Sequence, residues 1–242
     1  MFPLGDDNSD RSVTPVVNYL FIAANVLVYV FLQQLGSNDA FTYAFSLVPR
    51  EITNGIDLSG TQIVRDALGN TGRIVLFPSP LPVYFNFISS MFMHGSFMHL
   101  FGNMLFLWIF GDNLEDRVGH IRYAIFYILC GLAAAVGQIV LNTESIIPML
   151  GASGAISGVL GGYMVLFPRR RVRAIVFNFL TEVPAYVAVG IWIGYQLILG
   201  FFTDPGTGGV AYAAHIGGFI AGVVLIKIFA IGTGTARAVS PL

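Results

Sequence analysis

The side chains of this sequence that could carry out chemistry are few, and apolar residues surround them. Ser153 lies in a Gly-Ala-Ser-Gly motif, and His215 lies in a second stretch rich in small residues, AYAAHIGGFIAG. A serine hydroxyl is a weak nucleophile until a neighbouring base takes its proton, and imidazole, which titrates near neutral pH, is suited to that task. The pair could therefore perform acyl transfer, provided that the two stretches pack against each other.

A further polar motif, HGSFMHLFGN, could complete such a site. His99 and Asn103 are four residues apart, so they share one face of a helix. Their side chains can donate hydrogen bonds to a developing oxyanion. Backbone N–H groups near residues 151–153, at the predicted start of a helix, are additional donors.

The composition indicates that lipid surrounds most of the chain. Hydrophobic residues make up 55% of the 242 residues and charged residues 10%, with a mean hydropathy of +0.75, whereas soluble domains carry about 25% charged residues. The net charge of −1 gives no electrostatic case for nucleic acid as a partner. The single cysteine, Cys130, excludes a framework of disulfide bonds.

Six apolar stretches are predicted to cross the membrane, so we expect an all-α membrane protein. A spanning helix needs roughly 20 mostly apolar residues, and the second and fourth stretches are somewhat short. We expect a cytoplasmic N-terminal segment at 1–15, one domain at 16–231 and a cytoplasmic tail at 232–242, with short helices and loops in the long connection at 36–87. The predicted spans are 16–35, 97–110, 121–141, 153–167, 184–202 and 210–231.

The distribution of basic residues predicts the orientation of these spans. Lysine and arginine are enriched on the cytoplasmic side of membrane proteins. The connections between spans 3 and 4 and between spans 5 and 6 have no basic residue, so both termini should be cytoplasmic and the long first loop should lie outside. The basic residues near span ends are Arg11, Arg117, Arg122, Arg169, Arg170, Arg171, Arg173, Lys227 and Arg237.

This orientation puts the polar residues at one depth. Spans 2, 4 and 6 run from outside to inside, and Ser153, His215, His99 and Asn103 all lie near their outer ends. Independent structural residues would not need to agree in depth, so the agreement favours a single site near the outer surface.

The predicted site has no carboxylate. Asp112, Glu115 and Asp116 are expected to follow the inner end of span 2, and no acidic residue lies within any predicted span. The arrangement should therefore be a Ser-His dyad, and the histidine must be oriented by packing or by another acceptor.

These motifs resemble those of the rhomboid intramembrane proteases. The resemblance covers about residues 90–222 and rests on HGSFMHLFGN, GASG and AHIGGFIAG, in that order and in matching spans. It implies a six-transmembrane-helix rhomboid-like bundle and a serine endopeptidase with Ser153 and His215 as the catalytic dyad. It also implies that His99 and Asn103 help to stabilise the oxyanion. The residues with implied structural roles near the site are His94, Gly151, Gly154 and Gly218.

The same resemblance implies the substrates and the location. Substrates would be single-pass or other transmembrane proteins, cut within the lipid bilayer in or near their spans, without a cofactor. The compact six-span form is similar to bacterial members, which suggests the bacterial inner membrane with the site toward the outer face. Two features depart from the family pattern: the first loop lacks a Trp-Arg pair, and Ser157 stands where an aromatic residue often packs on the histidine.

Three other interpretations stay open. A transporter could use a polar cluster among helices, although no inverted repeat is evident and the cluster lies away from the midplane. A non-catalytic rhomboid-like protein could bind membrane spans, although such relatives typically lack the serine or the histidine. His94, His99 and His215 could nominally bind zinc, but residues five apart should face different sides of a helix.

Overall fold

The computed structural model describes residues 2–65, 71–176, 179–202 and 210–233, and most of them are helical. Helices α1 to α9 span Val16–Leu27, Asp39–Ala44, Pro49–Asn54, Asn86–Ser89, Phe97–Val118, His120–Leu141, Ser153–Leu166, Ala185–Phe202 and Tyr212–Phe229. A π-helical turn, Val28–Leu32, extends α1, and 3-10 turns cover Gln34–Gly36, Val83–Phe85 and Ser90–Phe92. Strands β1 to β5 span Phe2–Asp6, Gly60–Arg65, Thr71–Leu76, Arg171–Val176 and Phe179–Pro184. The predicted tail from residue 234 onward, with Arg237, lies outside the described residues.

A helix covers most of each of the six predicted spans. Among the described residues, α6, α8 and α9 are long and apolar enough to cross a membrane, whereas α1 with its π turn and α7 are shorter apolar helices. Apart from the end of α5, the bounds agree within a few residues, because a continuous apolar run is a local property of the sequence. These helices indicate an integral membrane protein.

The second span differs most from its prediction. Helix α5 does not stop at Phe110 but continues through Asp112, Glu115 and Asp116 to Val118. The predicted end at Phe110 therefore falls inside the helix, and the three acidic residues lie in its last turns. Their side chains are paired with the N-terminal part of the chain, which allows the helix to continue through them.

These carboxylates hold the start of α1. The two oxygens of Glu115 accept hydrogen bonds from the backbone N–H groups of Val17 and Asn18, at 2.9 and 2.7 Å. The first N–H groups of a helix have no partner within it, so an acceptor here caps α1. Asp112 accepts a hydrogen bond from Arg11 at 2.7 Å, just before α1.

The all-α prediction is incomplete, because strands form in the connections. β2 and β3 pair as an antiparallel hairpin in the first loop, and β1, β4 and β5 form an antiparallel sheet in the order β1-β4-β5. In β4, Val172 and Ala174 are buried while Arg171 and Arg173 are exposed, which is the alternation of a half-buried strand. The arginines in and before β4 obscured this alternation in the sequence. β1 pairs with a strand far along the chain, and the local sequence does not indicate that pairing.

Small residues allow α7 and α9 to pack with their backbones in contact. A Cβ added at Gly222 would overlap the carbonyl group of Gly158, and one added at Gly218 would overlap that of Gly154. Membrane helices associate largely through such close van der Waals packing. The approach of these two helices sets the distance between the side chains that they carry.

The first loop supports the connection that leads into α7. Leu47 and Met149 exchange two backbone hydrogen bonds, of 2.9 and 2.7 Å. The hydroxyl of Thr53 also donates to the carbonyl oxygen of Thr143 at 3.0 Å. The loop and this connection therefore form one structure at the N-terminal end of α7, opposite to the end that contacts β1.

Asp6 anchors β1 to α5 and α7, at the end of the bundle away from Ser153. Its carboxylate accepts hydrogen bonds from Asn113 at 2.7 Å and from the hydroxyl of Tyr163 at 2.5 Å. Burial raises the pKa of Asp6 from 3.8 to about 7; the nearby charge of Asp112 acts in the same direction, whereas Tyr163 and Arg170 act against it. A carboxyl group with a raised pKa binds its proton more tightly in the docked strand than in a detached one. Docking should therefore weaken as the pH rises from about 4 to about 7.

The contact between α7 and α9 can be tested by adding one methyl group. Gly222→Ala should lower the free energy of unfolding by about 1–3 kcal/mol, because the methyl group meets backbone and the helices must separate. Gly190→Ala in α8 is the matched control, since a Cβ there has no atom within 4 Å. Equal stability of the two variants in detergent-solubilised unfolding measurements would contradict this account of the packing.

The role of Asp6 can be tested by hydrogen–deuterium exchange. After correction for intrinsic exchange, protection of the β1 amides should fall at least about tenfold between pH 5 and pH 8, the ratio that one pKa unit represents. Asp6→Asn cannot ionise, so its protection should stay constant over that range. The same pH dependence in both proteins would show that another group controls the docking of β1.

Candidate active site

The two side chains that the sequence singled out lie within hydrogen-bonding distance. Nε2 of His215 is 2.8 Å from Oγ of Ser153. Ser153 is the first residue of α7, and His215 lies in the first turn of α9, where it is 8% exposed. The contact therefore depends on the close approach of these two helices.

Gly151 shapes the turn that presents Ser153. Its φ of +123° is in the region that favours glycine, and a Cβ there would lie 2.8 Å from Cε1 of His99. The first hydrogen bond of α7 runs from Ile156 N–H to the carbonyl oxygen of Ala152. The preceding N–H groups therefore lie outside the helical hydrogen-bond ladder, at its positive end.

Side chains of α8 and α6 hold His215. Oε1 of Gln196 is 2.8 Å from Nδ1 of the ring, and the ring of Trp192 lies 5.9 Å away between centroids. Oε1 of Gln138 accepts the backbone N–H of Ala214 at 3.2 Å. The sequence-based reasoning missed these residues. A usable signal was present, because Gln196 is an amide in an otherwise apolar span, one turn after Trp192.

The hydroxyl of Ser157 forms its hydrogen bond within α7 and not with the histidine ring. This hydroxyl donates to the carbonyl oxygen of Ser153 at 2.6 Å, and the residue is fully buried. The aromatic contact that the family pattern would supply one turn after Ser153 comes here from Trp192 on α8. An aromatic side chain from a different helix thus takes the place of the one that α7 lacks.

His99 and Asn103 lie beside the turn that leads into Ser153. A Cβ added at Gly151 would be 2.9 Å from Nε2 of His99 and 3.6 Å from Nδ2 of Asn103. Nδ2 of Asn103 is also 2.9 Å from Nε2 of His94. One amide hydrogen of Asn103 can therefore bind His94 while the other stays free to donate elsewhere.

His94 precedes α5 and is fully buried. Its backbone N–H donates to Oε1 of Gln33 at 2.9 Å, and Nε2 of Gln33 donates to its carbonyl oxygen at 2.8 Å. The expectation that His94 and His99 face apart is wrong, because their rings pack edge to face at 5.1 Å. Across the described ranges, no group of three His, Cys, Asp or Glu side chains is placed to hold a metal ion.

An open cavity of about 1070 Å³ gives access to these residues. Ser153, His215, His99 and Asn103 all line it, and most of the remaining wall is apolar. Part of that wall comes from α5 and α8. These helices meet where the ring centroids of Phe106 and Trp192 are 6.4 Å apart, whereas at Gly102 a Cβ would have no atom within 4 Å.

The chain is similar to proteins of one family. A family model described as a Rhomboid domain matches residues 82–231. Rhomboid protein 1, mitochondrial, of Saccharomyces cerevisiae is 33% identical over 144 residues, which are 57% of this chain and 39% of that protein. RHOMBOID-like protein 5 of Arabidopsis thaliana is 29% identical over 141 residues, 57% of this chain and 41% of that protein. Rhomboid-related protein 2 of Mus musculus is 27% identical over 146 residues, 57% of this chain and 45% of that protein.

The matched region spans less than half of each of these relatives. The family model covers every candidate residue from His94 to His215, because it begins in the first loop and ends after α9. The match covers more than half of the chain and agrees with its apolar, membrane-capable helices. The chain therefore belongs to the rhomboid family, whose members are generally intramembrane serine proteases.

Proposed function

We propose that this chain is an intramembrane serine endopeptidase in which Ser153 and His215 form the catalytic dyad. The observation that carries the proposal is the 2.8 Å separation of Nε2 of His215 and Oγ of Ser153 at the wall of an open cavity. Membership of the rhomboid family supports the same activity.

The proposed reaction is acyl transfer in two stages. Nε2 of His215 takes the proton of Ser153 while Oγ attacks the carbonyl carbon of the substrate peptide bond, which gives a tetrahedral oxyanion. His215 then donates the proton to the leaving amine, the C–N bond breaks and an acyl-serine remains. Water, deprotonated by the same imidazole, hydrolyses the ester and restores the serine.

We assign stabilisation of the oxyanion to His99 and Asn103. Both side chains lie beside Gly151, two residues before the nucleophile, and both face the cavity. The N–H groups at the start of α7, which lie outside its helical hydrogen-bond ladder, are further donors close to Ser153. Donors that are fixed before the reaction stabilise developing charge without having to reorganise.

The proposed substrates are transmembrane proteins, single-pass or other. Rhomboid proteases act on membrane proteins within the bilayer, and the wall of this cavity is largely apolar. An extended segment of a membrane span would contact such a wall more favourably than a polar soluble peptide would.

We further propose six spans with both termini in the cytoplasm, so that residues 16–231 form the catalytic domain between a segment at 1–15 and a tail at 232–242. The pairing of β1 with β4 supports this topology, because it joins the N-terminal segment to the connection between α7 and α8. Arg122 also donates to the carbonyl oxygens of Phe229 and Ile231, which puts the start of α6 beside the end of α9. These contacts bring Arg122 and Arg173 to one end of the bundle, while Ser153 lies at the other end of α7. The proposed location is a bacterial inner membrane, with the site toward the outer face.

The catalytic assignment predicts a graded series of variants. Ser153→Ala should abolish cleavage of a model single-pass substrate in proteoliposomes, because no nucleophile remains. Asn103→Ala should lower kcat by about 10²–10³ with little change in KM, the usual effect of removing one oxyanion donor. Both rates would be measured from fragment formation over a range of substrate concentrations.

Ser157→Ala is the matched control, since it removes a hydroxyl from the same helix face one turn away and should leave cleavage intact. Equal cleavage by wild type and Ser153→Ala would exclude Ser153 as the nucleophile. Substrate binding without cleavage by wild type would favour the non-catalytic rhomboid-like binder.

The topology predicts which cysteines a membrane-impermeant maleimide can reach in intact cells. The only natural cysteine, Cys130, is fully buried and provides an unlabelled background. Glu144→Cys, between α6 and α7, should be labelled from outside, and Arg169→Cys, after α7, should be labelled only after permeabilisation. Both original residues are exposed, so access depends on the side of the membrane. The reverse pattern would overturn the proposed orientation.

A further inference from the structure

The amide of Gln196 is the only side chain of α8 that hydrogen-bonds to His215 among the described residues. We propose that Gln196 is a positioning residue that fixes both the orientation and the tautomer of His215, in the place where many serine proteases use a carboxylate. This proposal rests on the proposed function, since it concerns the base of the same dyad.

The burial of Gln196 indicates that its hydrogen bond to His215 is needed to keep the amide within the bundle. Gln196 is 7% exposed and lies in the middle of an apolar helix that can cross the membrane. An amide is costly to place in such surroundings unless it is hydrogen-bonded. Its Oε1 is 2.8 Å from Nδ1 of His215, and within the described part of the chain this ring nitrogen is its hydrogen-bond partner.

The direction of the hydrogen bond determines which nitrogen is free. A neutral imidazole has one N–H, on Nδ1 or on Nε2. The amide oxygen can only accept, so the proton belongs on Nδ1 and the lone pair of Nε2 faces Oγ of Ser153 at 2.8 Å. In the other tautomer two acceptors would meet at Nδ1, and Nε2–H would donate to Oγ of Ser153 and could not take its proton. Gln196 therefore selects the form that can take the proton of Ser153.

A neutral amide suits this position better than a carboxylate does. An unpaired carboxylate within an apolar bundle carries a large desolvation cost. Asp112, Glu115 and Asp116 lie in the last turns of α5, while His99 and Asn103 near the site lie in its first turns. Gln196 supplies the acceptor without the charge, and Trp192 one turn earlier packs on the same ring.

Two substitutions of similar size separate positioning from packing. Gln196→Met keeps the volume and removes the acceptor, whereas Gln196→Glu keeps an acceptor oxygen whether or not the new carboxyl group is ionised. We expect kcat for Gln196→Met to fall about 10- to 100-fold at unchanged KM, the range for loss of one buried hydrogen bond to the base. Gln196→Glu should keep more of the activity than Gln196→Met. Ile198→Met, an exposed position in α8, is the control and should behave as wild type.

A packing role predicts the opposite order, with methionine tolerated and the glutamate variant damaged, and that order would overturn the proposal. A second measurement does not depend on cleavage. Nitrogen-15 NMR of histidine-labelled protein, with His215→Ala to assign the signal, should show His215 with its proton on Nδ1. In Gln196→Met the preference for this tautomer should be lost.

The two measurements also separate this proposal from the proposed function. A wild-type His215 protonated on Nε2 would overturn the positioning role even if the protein cleaves its substrate. A wild-type protein with the Nδ1–H tautomer that cleaves nothing would contradict the protease assignment and leave the positioning role intact.

Discussion

The contact between the backbones of α7 and α9 is the constraint on which the rest of the site depends. Ser153 and His215 come from different helices, and a hydrogen bond of 2.8 Å tolerates little change in the distance between them. Gly154 and Gly158 on one helix meet Gly218 and Gly222 on the other, without room for a single Cβ. In lipid the helices gain little from burying apolar surface against each other, so close packing must supply much of the attraction. The same glycines that stabilise the bundle therefore set the geometry of the proposed dyad.

The second constraint is that polar groups within apolar surroundings must be paired. At one end of the bundle, Glu115 caps α1 and Asp6 binds Asn113 and Tyr163. At the other end, Gln33 binds the backbone of His94. Each of these contacts joins segments that are distant in the chain. These polar side chains thus join distant segments at both ends of a mostly apolar bundle. The candidate site lies at the end that contains the N-terminus of α7.

Helix α8 links the orientation of the base to the wall of the cavity. Gln196 and Trp192 both contact His215, and Trp192 also meets Phe106 of α5. A movement of α8 would change these contacts together. The imidazole is therefore held by the same helix that shapes the space in which we propose that a substrate binds.

The sequence by itself determined the long helices, the membrane setting and the two residues of the proposed dyad. These are local properties: apolar runs, the spacing of small residues, and a serine and a histidine within them. Only the tertiary structure decided how His215 is held. Gln196 lies on a third helix, and no fixed sequence spacing relates it to His215. The same holds for the carboxylates of α5 and for the pairing of β1 with β4. The residues that pair with the α5 carboxylates and with β1 are distant in the chain. Only folding brings these partners together.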